Sequence, residues 1–487
     1  MQSYIRAQAS CMPPEVRVQA STKFRSTWSS YWVGAEPPQA AALTARATHM
    51  SRPAAVERGR VGRGFGMAHP YHAAMPSRQH ALRLVRAPAA LTEVLEAAAA
   101  AAGRDPVYLV GGALRDLRLG REEITDVDLA VEGDAAGLAD RLWHRMGPDA
   151  RLTKHRAFET STVRAEGLRV DVARTRAEHY PHPGALPVVE PAGIDEDLRR
   201  RDFTVNAMAQ RLGDGGAVLD PTGGRADLAA GLIRVLHPGS FRDDPTRVFR
   251  AVRYAARLGF RLEPDTERWA RRCVKAGDVG KLSGGRMRSE VLAMLGEDTA
   301  AAGLALAERL GVCAAIAGGL DCGAQTRALF DRLDEIRLRV HPRAPAWRCR
   351  LALLCREMAP ADVAALTHRL ALRRSDAAAV RAGAAPPRLP ARSSPAAIAE
   401  TYSRLPADAA LVAAAEGSAA AEFYLDRLRG VRLHIDGRVL RDELGLAESP
   451  RVGEVLRELL RRKRNGELES RAAELEAARE LVAEGGR

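Results

Sequence analysis

The stretch VYLVGGALRDLRLGREEITDVDLAVEGDA, residues 107–135, limits the fold more than any other part of the chain. An apolar run ends in two glycines, Gly111 and Gly112. A short helical pattern closes at Gly120, and a second apolar run then carries Asp126 and Asp128. Residues i and i+2 of a strand face the same side with Cα atoms about 6.6 Å apart, so the two carboxylates share a face. Two like charges so placed repel unless a cation lies between them. Ionised and converging, they form a hard-oxygen site suited to Mg²⁺. Asp171, in LRVDVAR on the next hairpin, is the candidate third carboxylate. Such a set can hold two metals that stabilise the attacking and leaving oxygens of an in-line phosphoryl displacement. The competing reading is an exposed strand with solvated acids, and the apolar neighbours Val127, Leu129 and Val131 argue against it.

The same punctuation organises the surroundings. LTEVLEAAAAAAG reads as a helix with Thr92 as N-cap and Gly103 at its end. AAGLADRLWHRMG reads as another helix, and FETSTVRAEGLRVDVARTR as a hairpin turning at Glu166–Gly167. Together these predict a small mixed sheet with helices upon it. YPHPGALPVVEPAG, residues 180–193, carries four prolines and reads as a mobile loop. From about residue 226 strands nearly vanish and the chain reads helix after helix, with Pro-rich breaks near 341–346 and 385–395 as seams. The class is therefore α+β: a mixed-sheet head followed by an all-α remainder. Residues 1–80 are rich in Ser, Ala, Pro and Arg with few acids. They read as a disordered extension, a targeting segment or the result of an early start codon.

Charge and cysteine usage narrow the class further. A formal charge of +13 suits a polyanionic partner, although an Arg-rich composition alone gives the same sum. None of the six cysteines forms C-x-x-C, so the sequence predicts neither a zinc site nor a disulfide framework, which fits a reducing compartment. No apolar run reaches the roughly 18 residues of a membrane span.

Three further motifs carry chemistry. Backbone amides at Gly111 and Gly112, just before a helix, can approach a phosphate closely, and Arg115 on the first turn reaches the same oxygens. The spacing is not G-x-G-x-x-G, which disfavours a dinucleotide fold. In RRRDFTVNA, Asp202 and Asn206 are spaced i, i+4 and would share a helical face. In DDPTRVFR, Asp244 before Pro245 suffices as a helix cap on local grounds, and Arg250 lies one turn beyond Arg247.

The double glycine followed by D-x-D resembles the head of the polymerase-β-type nucleotidyltransferases. More specifically, it is similar to the class II tRNA nucleotidyltransferase and bacterial poly(A) polymerase family. Further blocks match in order: DEDLRRRDFTVNAMA at 195–209, LDPTGGRADLAAGLIRVL at 219–236 and FRDDPTRVFRAVRYAARLGF at 241–260. HIDGRVLRDELGLAESPRVGEVLRELLRRKRNGEL resembles the family's tail. The resemblance implies a nucleotidyltransferase head over 81–225, a neck over 226–300 with base-reading residues, a body over 301–390 and a tRNA-binding tail over 391–487. It implies that Asp126, Asp128 and Asp171 are catalytic, the first two as ligands of Mg²⁺. It gives ribose and phosphates to Arg200, Asp202 and Asn206, and the incoming base to Asp244 and Arg247. Gly111, Gly112, Arg115 and Arg250 complete the nucleotide set. The family carries Glu where this chain has Asp243. The implied activity is template-independent addition of C and A to the tRNA 3′ end from CTP and ATP, with contacts to the acceptor end and elbow. The loop at 180–193 stands where members that add C, C and A have a flexible loop. LRRKRNGE at 460–467 would supply phosphate contacts. A poly(A) polymerase or A-adding enzyme of the same family is the alternative, and a non-catalytic RNA-binding protein a remoter one. No obligate protein partner is evident, and the expected location is the cytoplasm, with organellar targeting by residues 1–80 the other option.

Overall fold

The computed structural model describes residues 89–484 apart from 156–158, 166, 183, 214–216 and 391. The expectations for residues 1–80, and Glu166 at its turn, lie outside the described residues. The order is α1 (Ala89–Ala101), β1 (Val107–Val110), α2 (Gly111–Arg118), β2 (Asp126–Val131), α3 (Ala135–Arg145), β3 (Arg151–His155), β4 (Thr160–Ala165) and β5 (Leu168–Arg174). β8 (Ala209–Arg211) and β9 (Val218–Leu219) complete a seven-stranded sheet ordered β3-β4-β5-β2-β1-β8-β9. Every pairing is antiparallel except β2 with β5, which run parallel. The mixed sheet is as the sequence predicts. Thr92 is not a cap, because α1 already begins at Ala89 among good helix formers.

The two sheet faces have different fates. Val107, Leu109, Val127, Leu129, Val131, Val163, Val170 and Val172 face one side and join the main apolar core with α1, α2 and α3. Each such side chain, fully buried, contributes about 1.5–3 kcal/mol. Tyr108, Val110 and Ala130 face the other side, where Ile194 and Leu198 of α4 (Ile194–Arg199) cover them. Asp126 and Asp128 alternate with the core valines, so the pleat turns both carboxylates to this second face.

The segment 180–193 is not wholly a loop. β6 (Arg176–His179) and β7 (Val188–Pro191) pair antiparallel from Arg176↔Pro191 to His179↔Val188, so Pro181 and Pro187 fall in the connection and Pro191 at the end of a strand. The i, i+4 pair Asp202 and Asn206 is also not on an α-helix. Only Thr204–Asn206 forms a 3₁₀ turn, and its tighter winding still brings the Asn206 amide to Asp202.

From α5 (Gly224–Ala230) onward the chain is helical apart from the two-residue strands Leu232–Ile233 and Arg261–Leu262. α6 (Ser240–Asp243) leads into α7 (Thr246–Leu258), α8 (Pro264–Lys275) and α9 (Gly284–Gly296). A continuous cluster of buried apolar side chains runs from Leu91 to Leu428, and a second, separate one spans Ile435 to Ala478. The prolines near 341–346 and 385–395 fall between helices Ala324–Val340 and Ala346–Leu354, and between Arg374–Ala384 and Pro395–Ser403. No helix among the described residues is long and apolar enough to cross a membrane.

The cysteine expectation needs correction. Cys313 and Cys322 are joined by a disulfide with Cα atoms 6.5 Å apart. Cys313 ends up facing Cys322 because Gly319, at φ +82°, reverses the chain between them, a conformation only glycine adopts at no cost. Cys349 and Cys355 are buried free thiols, and burial pushes Cys355 up to about 12.

Candidate active site

A cleft of about 250 Å³ opens between the acid-bearing sheet face, α4, α7 and α9. Gly111, Gly112, Arg115, Asp128, Asp171, Arg200, Asp202, Asn206, Asp244, Arg247 and Arg250 all line it, so residues scattered over 140 positions of sequence meet in one place. Asp126 is the exception among the expected site residues. It opens β2 at the sheet margin and is 74% exposed.

The carboxylates owe their relation to register. In the parallel match of β2 with β5, Asp128 lies opposite Asp171 and Asp126 opposite Arg169. Arg169 donates Nη2 to both Asp171 oxygens, at 3.0 and 2.7 Å, and stands 3.7 Å from Asp126. Thr162, opposite Asp171 on β4, donates its hydroxyl at 2.6 Å. Burial raises the Asp128 carboxyl above the usual range, and the neighbouring charges of Asp171 and Asp126 add to this while Arg201 opposes it. Among the described residues no group of three or more acid, His or Cys side chains converges tightly enough to hold an ion. The expected Asp126–Asp128–Asp171 set does not converge among the described residues, where the Arg169 guanidinium lies between Asp126 and Asp171. The donor chemistry nevertheless fits a divalent cation at Asp128 and Asp171. Gly111 leaves room there: at φ +73°, a Cβ on it would lie 3.1 Å from Asp128 Oδ2 and 3.3 Å from Arg201 Nη1.

On the other side of Asp128 the polar groups form a connected chain. Arg115, only 1% exposed, is held by Asp116 at 2.9 and 2.8 Å and donates to Asn206 Oδ1 at 2.7 Å. Asn206 donates to Asp202 at 3.1 Å, and Arg250 donates twice to Asp202 Oδ2 at 2.9 and 2.5 Å. Burial would raise Asp202, but Arg250, Asn206 and Arg247 hold it well below the carboxylate range. The Tyr254 ring lies 5.0–5.3 Å from the guanidiniums of Arg115, Arg250, Arg253 and Arg257, spacing them by cation–π contact.

Residues the sequence reasoning missed support these. Asp197, buried on α4, takes Arg200 at 2.6 Å and Arg201 at 2.9 Å. Burial alone would push its carboxyl up, yet the two arginines hold it at about 2. The D-x-x-R-R spacing was the available signal. Asp244 is not the N-cap, since α7 begins at Thr246 and Pro245 holds that position, but its carboxylate accepts from Thr246 N and Oγ1 at 2.9 and 2.6 Å. Arg286 of α9 adds a third bond at 2.6 Å and also donates to Gly184 O at 2.8 Å. All three bonds to Asp244 fall on Oδ1. Arg247 donates to Ser240 Oγ at 2.6 Å and Arg200 O at 2.8 Å. Asp243 turns aside to His237, 3.6 Å away. In the tail, Lys463 is not an open phosphate contact. It is bound at 2.5 Å to Glu474, a fully buried carboxylate.

A sequence profile described as the poly A polymerase head domain matches residues 107–234. The chain is 42% identical over 234 residues to an A-adding tRNA nucleotidyltransferase of Geobacter sulfurreducens, covering 47% of this chain and 26% of that protein. It is 40% identical over 200 residues to a multifunctional CCA protein of Thioalkalivibrio sulfidiphilus, covering 40% and 46%. The chain thus spans a quarter to a half of the length of these curated relatives. The solved complex of a CCA-adding enzyme with ATP superposes with a TM-score of 0.65 at 26% identity, covering 81% of this chain and 95% of that one.

Proposed function

We propose that this chain, which belongs to the class II tRNA nucleotidyltransferase and poly(A) polymerase family, is an enzyme that adds C and A to the 3′ end of tRNA from CTP and ATP without a nucleic-acid template. The observation that carries this reading is one cleft lined on one wall by Asp128 and Asp171 and on the other by Asp244 and Arg247. The named activities of the relatives support it, as does the ATP complex of the structural neighbour.

The base is read by the protein. Asp244 Oδ2 accepts from the exocyclic amine that C and A present, and Arg247 donates to the adjacent ring nitrogen. U and G present a carbonyl and a ring N–H there. Each contact then fails and leaves a polar group unpaired, at about 1–3 kcal/mol apiece. Arg115, Asn206, Asp202 and Arg250 form the seat for ribose and triphosphate, with the amides of Gly111 and Gly112 beside the phosphates.

The primer hydroxyl attacks the α-phosphorus, the bond to pyrophosphate breaks, and Asp171 takes the proton. The family is one that uses divalent metal, and we assign Mg²⁺ to Asp128 and Asp171, the two carboxylates that meet in the cleft, with Asp126 outside it. Bound there, the ion supplies Lewis-acid stabilisation of the attacking and leaving oxygens. The tail takes the acceptor end and elbow of tRNA, and we place the enzyme in the cytoplasm with that substrate.

Incubation with a tRNA lacking its CCA end, and with labelled CTP or ATP in separate reactions, tests the reading. Incorporation of both supports it. Incorporation of ATP alone on a primer ending in CC favours the A-adding reading, which the Geobacter sulfurreducens relative commends. Incorporation of neither sinks both.

A further inference from the structure

Three arginines lie side by side across adjacent strands of the head. Arg151 of β3 is opposite Arg164 of β4, and Arg164 is opposite Arg169 of β5. Paired positions share a face, so the three guanidiniums stand on the face that carries Asp126, which is opposite Arg169 in turn. Like charges directly opposite one another destabilise a sheet, so this row is a local cost to the fold. The neighbouring row, one two-residue step or about 6.6 Å along the strands, is Thr153, Thr162, Asp171 and Asp128.

Arg169 also carries an incomplete set of bonds. Its Nη2 is spent on Asp171, but its Nε is buried without a hydrogen-bond partner. A buried N–H left unpaired is a penalty that an incoming acceptor removes. Both features are relieved by one anion seated over the row. The triphosphate side of Asp128, with Arg115, Arg250 and Gly111, lies toward β1, whereas the arginine row lies toward the β3 edge.

We propose that Arg151, Arg164 and Arg169 seat a backbone phosphate of the RNA primer, next to its 3′ terminus, and so set the terminal hydroxyl against Asp171. This deepens the function proposed above and rests on it. Arg169 exchanges its hold on Asp171 for the phosphate when primer arrives.

Arg164→Gln and Arg151→Gln, with Arg164→Lys as the charge-keeping control, test the seat. Fluorescence anisotropy reads the Kd of a tRNA transcript lacking CCA, and of the same transcript with an uncharged methylphosphonate at its last linkage. The expected result for Arg164→Gln is a loss on the order of tenfold on the natural RNA, the worth of one charge-assisted bond. No further loss is expected on the methylphosphonate RNA, because both changes remove the same contact. The slope of log Kd against log salt should fall by about 0.7. Lys restores affinity, and the KM for CTP and ATP stays unchanged. Additive losses on the two RNAs overturn the proposal. So does a raised nucleotide KM with unchanged RNA affinity, which would give the seat to the triphosphate. Binding is read without turnover, so a wild-type protein that bound RNA yet incorporated no nucleotide would sink the proposed function while leaving this test intact.

Discussion

Replacing Arg286 by Gln separates folding from base reading. Arg286 is 3% exposed and Asp244 8%, and their bond is 2.6 Å. Removing one member of a buried pair costs about 3–5 kcal/mol. Thr246 still offers Asp244 two donors, so the lower end, about 3 kcal/mol, is expected from urea unfolding. The second consequence is for selectivity. With its guanidinium gone, Asp244 is held from one side only, and its contact with the base amine, worth about 1–3 kcal/mol, weakens. A loss near the lower part of that range reduces the ratio of kcat/KM for CTP over UTP about tenfold. The assay is single-nucleotide incorporation with each of the four triphosphates, alongside the unfolding curve and an Arg286→Lys control. A protein that is destabilised as expected yet keeps its full preference for CTP over UTP would refute the assignment of base reading to Asp244.

Other expectations are simpler to check. Gly111→Ala forces a side chain into a left-handed conformation, at about 1–2 kcal/mol, and crowds Asp128. Incorporation should fall more steeply than the melting temperature. Asp197 at about 2, against 3.8 for an ordinary aspartate, contributes about 2 kcal/mol that is fully present above pH ~3.8 and lost as pH falls through its folded value. Acid unfolding curves of wild type and Asp197→Asn should therefore converge at the acid end and separate above it. The Cys313–Cys322 loop, nine residues in span, is worth about 2–3 kcal/mol by loop closure. Dithiothreitol should lower the wild-type melting temperature and leave Cys313→Ser unmoved.

Much of the head was legible because its strands alternate and glycines mark their ends. β3 was not, since RLTKH offers one apolar residue, Leu152, and no alternation to read. The β6–β7 hairpin was hidden by its prolines, of which Pro181 and Pro187 fall in the connection and Pro191 at the end of β7. Asp202 and Asn206 were paired correctly for the wrong reason, as a 3₁₀ turn rather than an α-helix joins them. Asp197, Arg169, Tyr254 and Arg286 look like ordinary surface or core residues in sequence. Their roles depend on neighbours brought in by the parallel pairing of β2 with β5 and by the packing of α7 against α9. The Cys313–Cys322 link had no motif to announce it, because a reversal at Gly319 rather than a characteristic spacing creates it.

The opposition of Asp128 and Asp171 has an evolutionary corollary. Connections of this head that lie away from the cleft can lengthen or shorten, because they only bridge fixed ends. Deleting a single residue within β5 between Leu168 and Asp171 would instead invert the strand's faces, sending the carboxylate among the valines and a valine toward the cleft. Length variation among descendants of this chain is thus expected to collect at turns and to be absent from two six- or seven-residue windows.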